Sequence, residues 1–212
     1  MDTFLQIAIL IFSVVIHEVS HGLMAYWLGD STAKYAGRLT LNPLSHLDLW
    51  GSFLIPLLLV FSGSGIVFGW AKPVPYNPYN LRDQKWGPVL VGLAGPFSNI
   101  LLALIAGVAL RALLVAGVSE DLFFFPFLSM VALINILLLV FNLLPIPPLD
   151  GSKLLFAFLP ISEHTRASLE QYGFVFLFIF LFMFSGVFHF LLGIALNFFS
   201  DWVVGVQIES FL

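Results

Sequence analysis

Long apolar runs alternate with short polar ones along this chain. Apolar residues dominate positions 3–28, 51–68, 87–116, 122–144 and 172–205. About 20 residues cross the ~30 Å hydrocarbon core of a bilayer as a helix, so these runs predict five or six membrane helices, the last run being long enough for two. The polar runs hold the turn formers. Within Asp30 to Trp50, the sequence Gly37-Arg38-Leu39-Thr40-Leu41-Asn42-Pro43 fits a short strand ended by Asn-Pro. Within the next polar run, from Gly69, residues Pro73, Pro75 and Pro78 forbid a helix and favour an extended edge segment. Ser162 to Gln171 reads as an interfacial turn or short helix. The expected fold class is an all-α polytopic membrane protein with a small extended or β element between the first and second core helices. With no repeat and no low-complexity linker, residues 1–212 are expected to form a single domain.

Phenylalanine falls at every second position from Phe174 to Phe184. A period of two signals a strand only when a polar face alternates with it, and here the intervening residues are apolar as well. A lipid-facing helix is the expectation, with Gly186 as a break before the final segment.

Composition sharpens the membrane assignment. The chain is 60% hydrophobic and 9% charged, with a mean hydropathy of +1.03, values foreign to a water-soluble domain. The net charge of −4 and the eight scattered Lys and Arg residues exclude a basic nucleic-acid-binding face. The absence of cysteine removes disulfides and thiolate metal ligands, leaving histidine and carboxylate. Met1-Asp2-Thr3 lacks a basic signal-peptide n-region, so the first helix is expected to be retained.

Three ionisable residues stand inside the first apolar run: His17, Glu18 and His21, an H-E-x-x-H pattern. On a helix the two histidines lie four residues apart on one face, within reach of one zinc ion, and Glu18 beside them reaches a water on that ion. Each such group costs on the order of 2 to 3 kcal/mol in a bilayer, which favours a functional reason for its presence. A catalytic zinc keeps three protein ligands and one open position, so one ligand is missing from the pair. The run Asn142-Leu143-Leu144-Pro145-Ile146-Pro147-Pro148-Leu149-Asp150-Gly151 ends an apolar helix in prolines and then presents a carboxylate. Asp150 is the candidate third ligand; the alternative is that it caps the helix that follows.

Together these motifs resemble the site-2 protease family of intramembrane zinc metalloproteases, in its compact prokaryotic form without a PDZ or CBS domain. The resemblance rests on His17, Glu18 and His21; on Asn142, Pro145, Pro148, Asp150 and Gly151 in an N-x-x-P-x-x-P-x-D-G pattern; and on Ala94, Gly95, Pro96 and Asn99 in an A-G-P-x-x-N stretch. It implies one Zn2+ per protomer on His17, His21 and Asp150, with Glu18 as general base toward a zinc-bound water and then as proton donor to the leaving amine. It implies that Asn142 hydrogen-bonds the scissile peptide or its oxyanion, and it places Asn99 either on the substrate or in contacts that orient the second core helix. The implied partner is a transmembrane protein substrate in the lipid bilayer, and the implied location a prokaryotic plasma membrane. The extended segment Trp70 to Asn77 offers an edge to which an unwound substrate adds as a strand.

Geometry adds a topological requirement. His17 lies about 14 residues into its helix, roughly 21 Å at 1.5 Å per residue, and Asp150 follows the end of the 122–144 helix. For the ligands to meet, those two helices must run parallel, which predicts that 51–68 is re-entrant. Lys34, Arg38, Lys72, Arg82, Lys85, Lys153 and Arg166 then share the zinc side, cytoplasmic by the positive-inside rule. Of the remaining histidines, His46 beside Asp48 reads as a surface turn rather than an accessory metal site, His164 as interfacial, and His189 as packed or hydrogen-bonded. The competing function is a membrane metal transporter or metal-binding regulator, against which Glu18 and the concentration of ligands in one arrangement argue.

Overall fold

The computed structural model of the chain describes residues 3–48, 51, 54, 58, 71–159 and 161–212. Three of the long apolar runs become helices, α1 (Thr3–Trp27), α3 (Gly87–Val115) and α4 (Phe124–Asn142), and α3 continues through the interior Pro96. Short α2 (Thr32–Tyr35) follows α1. Beyond α4 come α5 (Gly151–Phe158), α6 (Glu163–Gln171), α7 (Gly173–Met183) and α8 (Ser185–Phe199), the last continuing as a π-turn over Ser200–Val204. Gly29, at φ +112°, and Gly117, at φ +68°, end α1 and α3 in the left-handed conformation that glycine adopts without a Cβ penalty. At both ends the amides turn back onto the last-turn carbonyls, Asp30 N–H to Ala25 and Val118 N–H to Leu113.

Among the described residues, four helices are long and apolar enough to cross a membrane, and a fifth crossing is present if the bent α6–α7 pair, kinked by 56°, counts as one. The chain is a multi-pass helical membrane protein. Its central core lies where α3, α4 and α8 meet, with Ala103, Ala106, Leu110, Phe125, Ala132, Ile136 and Phe199 buried together. Small residues let these helices approach closely: a Cβ on Gly107 would stand 2.5 Å from the Phe199 ring. The alternating phenylalanines lie on helical α7, where Phe176 and Phe182 are exposed, as suits a helix facing lipid.

Hydrogen bonds fix the helix directions. His17 and His21 of α1 meet Asn99 and Val91 of α3 in reverse order, so α1 and α3 are antiparallel. Ser13 meets Asn135 of α4, and His17 then meets Asp150 beyond that helix. The two ligand-bearing elements therefore run parallel, as the ligand geometry demands. Apart from positions 51, 54 and 58, the expected re-entrant course of 51–68 lies outside the described residues; on either side of it, Lys72 N–H donates to the His46 carbonyl at 2.9 Å.

No strand occurs among the described residues, which corrects the expectation of one over Gly37–Pro43. In the Gly37–Pro43 stretch the polar groups close locally: Arg38 N–H bonds the Ala33 carbonyl, and the buried His46 ring bonds that of Thr40. His46 is thus an interior residue rather than part of a surface turn. Residues 71–77 are neither helix nor strand, because Pro73 and Pro75 have no N–H and charged side chains occupy other backbone groups. Glu18 accepts from Val74 N–H at 2.9 Å, Asp30 accepts from Asn77 N–H at 2.7 Å, and Arg38 donates to the carbonyls of Lys72 and Pro73.

Candidate metal centre

His17 and His21 project from one face of α1 toward α3, four residues apart as the helical repeat requires. Each ring is held through Nδ1. His17 Nδ1–H donates to Asn99 Oδ1 at 2.6 Å, and His21 Nδ1–H donates to the Val91 carbonyl at 2.6 Å. With Nδ1 donating, each neutral imidazole turns an Nε2 lone pair into the site, the arrangement by which histidine ligands are oriented toward metals. The two Nε2 atoms lie 3.0 Å apart.

Asp150 reaches the same point from the other end of the sequence. The prolines after α4 stop the helix, and the chain turns back so that Gly151 packs against the carbonyls of Leu143 and Leu144. Asp150 sits at the N-cap position of α5, yet its side chain makes no capping bond. Instead Asp150 Oδ2 lies 3.1 Å from His17 Nε2 and 3.3 Å from His21 Nε2.

Three lone-pair-bearing atoms thus converge within 3.0 to 3.3 Å. They repel one another unless a positive charge sits between or upon them. Ligands at ~2.0–2.1 Å around a tetrahedral zinc stand about 3.3–3.4 Å apart, so this spacing is close to one face of such a site. Among the described residues this is the one group of three potential metal ligands. Gly95 makes room for it: a Cβ there would stand 2.5 Å from both Nε2 atoms. The donor set and the space both fit a zinc ion.

Beside the ligands lies a cavity of about 220 Å³, lined by Glu18, Val74, Tyr76, Asn142 and Lys153 as well as the three ligand residues. Asn142 Nδ2 donates to the Leu138 carbonyl of its own helix. Asn99 does not line the cavity. It is fully buried behind His17, where its Nδ2 donates to Asn135 Oδ1 at 2.8 Å. Sequence reasoning missed Asn135, Val91 and Ser13. Asn135 alone left a signal, a polar amide in the middle of the 122–144 apolar run.

A multi-pass helical protein in which an H-E-x-x-H turn and a distant aspartate aim three candidate metal ligands at one point has the architecture of a membrane metalloprotease. Comparison with known proteins gives the family. The profile of peptidase family M50 matches residues 115–186. YwhC of Bacillus subtilis (strain 168), a candidate zinc metalloprotease by its name, is 41% identical over 172 residues, covering 78% of this chain and 74% of that protein. Rip2 of Mycolicibacterium smegmatis, similarly named, is 32% identical over 172 residues, 81% of this chain and 64% of its own length. Rip2 of Mycobacterium tuberculosis (strain H37Rv) is 34% identical over 173 residues, and there too the match spans less than two thirds, 61%, of the relative. No solved structure matches significantly. The chain belongs to peptidase family M50, the site-2 protease family, and is a zinc metalloprotease of that family.

Proposed function

We propose that this protein hydrolyses peptide bonds within or beside the transmembrane segments of other membrane proteins, in a prokaryotic plasma membrane, and that residues 1–212 act as one catalytic unit. The observation that carries the reading is the convergence of His17, His21 and Asp150 on one point inside a helical membrane bundle, next to a cavity that also holds Glu18. His17, His21 and Asp150 hold one zinc ion. When bound, zinc lowers the pKa of water and polarises a peptide carbonyl. Glu18 is the proton carrier: its carboxylate takes the proton from the attacking water and delivers it to the leaving amine. Asn142 turns its amide from Leu138 to the substrate peptide oxygen. Asn99 orients His17 and does not touch substrate.

The bond from Val74 N–H to Glu18 bears on substrate entry. A substrate strand that pairs at Val74 must displace Glu18, which joins docking along 71–77 to release of the proton carrier. A metal transporter would need successive weaker sites along a path, whereas among the described residues the candidate ligands form a single group.

The test is metal content and cleavage in the detergent-purified protein. Wild type is expected to hold one zinc per protomer and to cleave a single-span substrate. Asp150→Asn should lose the zinc. Glu18→Gln should keep it and lose cleavage by about 10²–10⁴-fold, the usual range for a general base. Wild type without zinc, or Glu18→Gln with undiminished cleavage, would sink this reading.

A further inference from the structure

Behind His17 runs a chain of buried polar side chains that ends on a backbone carbonyl. His17 Nδ1 bonds Asn99 Oδ1 at 2.6 Å; Asn99 Nδ2 bonds Asn135 Oδ1 at 2.8 Å; Asn135 Nδ2 bonds the Val131 carbonyl at 2.8 Å and Ser13 Oγ at 2.9 Å. His17, Asn99, Asn135 and Ser13 are all buried. An amide in such a place has two orientations, differing by a flip that exchanges its acceptor oxygen for its donor NH₂. For Asn135 the choice is forced from outside, since a backbone carbonyl only accepts: the NH₂ must face Val131 and the oxygen must face Asn99.

That choice propagates. Facing an oxygen, Asn99 must present its NH₂ to Asn135 and its oxygen to His17. Facing an oxygen in turn, His17 must carry its proton on Nδ1, which leaves the Nε2 lone pair for the metal. Were Asn135 unable to accept, Asn99 would be free to flip, present NH₂ to His17 and stabilise the tautomer with hydrogen on Nε2. That tautomer cannot bind zinc through Nε2.

We propose that Asn135, on α4, is a positioning residue that sets the tautomer of His17 through Asn99, with the Val131 carbonyl as the fixed end of the chain. The proposal rests on the reading of His17 as a zinc ligand and adds a residue that touches neither metal nor substrate. Polar groups that orient metal-bound histidines typically change metal affinity by 10–100-fold when removed.

Two substitutions separate polarity from packing. Asn135→Leu keeps a similar volume and removes both acceptor and donor. Asn135→Asp, neutral in this apolar setting, keeps a C=O toward Asn99 and an O–H toward Val131. The first measurement is zinc affinity by competition with a chromophoric chelator, using the full chain in detergent. The second is histidine ¹⁵N NMR of the zinc-free protein, in which a protonated and an unprotonated ring nitrogen resonate far apart.

The expected result is zinc binding about 10–100-fold weaker in Asn135→Leu, near wild type in Asn135→Asp, and a proton on His17 Nδ1 in wild type, whether or not Nε2 also carries one toward Asp150, that is lost only in the Leu variant. Unchanged affinity and tautomer in Asn135→Leu would overturn the proposal, and so would equal loss in both variants, which would make Asn135 a packing residue. Should Asn135→Leu fail to fold, the protonation of His17 Nδ1 in zinc-free wild type and the affinity of Asn135→Asp still decide: an unprotonated Nδ1 or a zinc-deficient Asp variant refutes it. Failure of the zinc reading itself looks different, because wild type would then bind no zinc at all.

Discussion

His17 and His21 present the same atom to the same point, but they are braced from different material. Behind His17 stands a run of side chains, Asn99, Asn135 and Ser13, inside the apolar layer. Behind His21 stands the backbone carbonyl of Val91. A carbonyl cannot flip and cannot be removed by substitution, so the His21 brace depends only on how closely α1 approaches α3. The His17 brace is a sequence choice at several positions, each a polar group that costs free energy in the membrane unless bonded. One candidate metal ligand is therefore secured by main-chain geometry and its neighbour by a directional network, and the two should fail under different perturbations.

The largest effect should come from the position that serves both braces. Gly95 leaves its Cβ space to the two imidazoles, and Gly95→Ala would drive a methyl between α3 and both Nε2 atoms. Alanine favours a helix over glycine by about 1 kcal/mol, so the helix itself should persist. We expect zinc content and cleavage both to fall by about 100-fold or more, as for loss of a metal-orienting contact on two ligands at once, while the variant still inserts in the membrane. Metal analysis of the purified variant checks this, and retained zinc would show that α1 and α3 can separate without cost.

An intermediate effect belongs to the loop side of the centre, where Asp30 accepts hydrogen bonds from Thr32, Asn80 and the Asn77 backbone and so anchors the segment that carries Val74. Burial pushes the Asp30 carboxyl up, but these hydrogen bonds outweigh it and the net shift is downward from its ordinary value of 3.8. A carboxylate lowered on folding adds stability that is fully present above its unfolded value and is lost as pH falls through the folded one. Hydrogen exchange across 71–80, taken relative to the intrinsic rate at each pH, should therefore stay slow at neutral pH and quicken below about pH 4. Asp30→Ala, which strands buried donors at about 1–3 kcal/mol, should quicken it at every pH and flatten the acid dependence. The zinc content of that variant should remain at wild-type level, because neither histidine brace passes through Asp30.

What could be read in the residues divides along the same line. The pairing of His17 with His21 follows from helical spacing, and the helix ending before Asp150 follows from Pro145, Pro147 and Pro148, because in each case the rule is local. Which residue faces which across the bundle is not local. Asn135 stands out in an apolar run, but only the packing of α4 against α1 and α3 places it between Ser13 and Asn99. The strand expected over Gly37–Pro43 failed for a related reason. Around Gly37–Pro43 the backbone closes locally, as in the bond from Arg38 N–H to the Ala33 carbonyl, while along 71–77 distant side chains, Glu18, Asp30 and Arg38, take backbone groups that a ladder needs. His46 looked like a surface residue between polar neighbours and is buried instead, with its ring closing the turn at Thr40.

The smallest effect is also the sharpest test of direction within the His17 brace. Ser13 and the Val131 carbonyl both accept from Asn135 Nδ2, but only the carbonyl lacks a proton to give. A serine hydroxyl can rotate to donate, so Ser13 imposes no orientation on the amide. Ser13→Ala should therefore leave the histidine tautomer and zinc affinity within about twofold of wild type and cost no more than about 1 kcal/mol of stability, the net worth of one neutral hydrogen bond. Chelator competition and thermal unfolding in detergent measure the two quantities. A tenfold loss of zinc in Ser13→Ala would move the fixed end of the network from α4 to α1, and would mean that the helix bearing the ligands also sets their polarity.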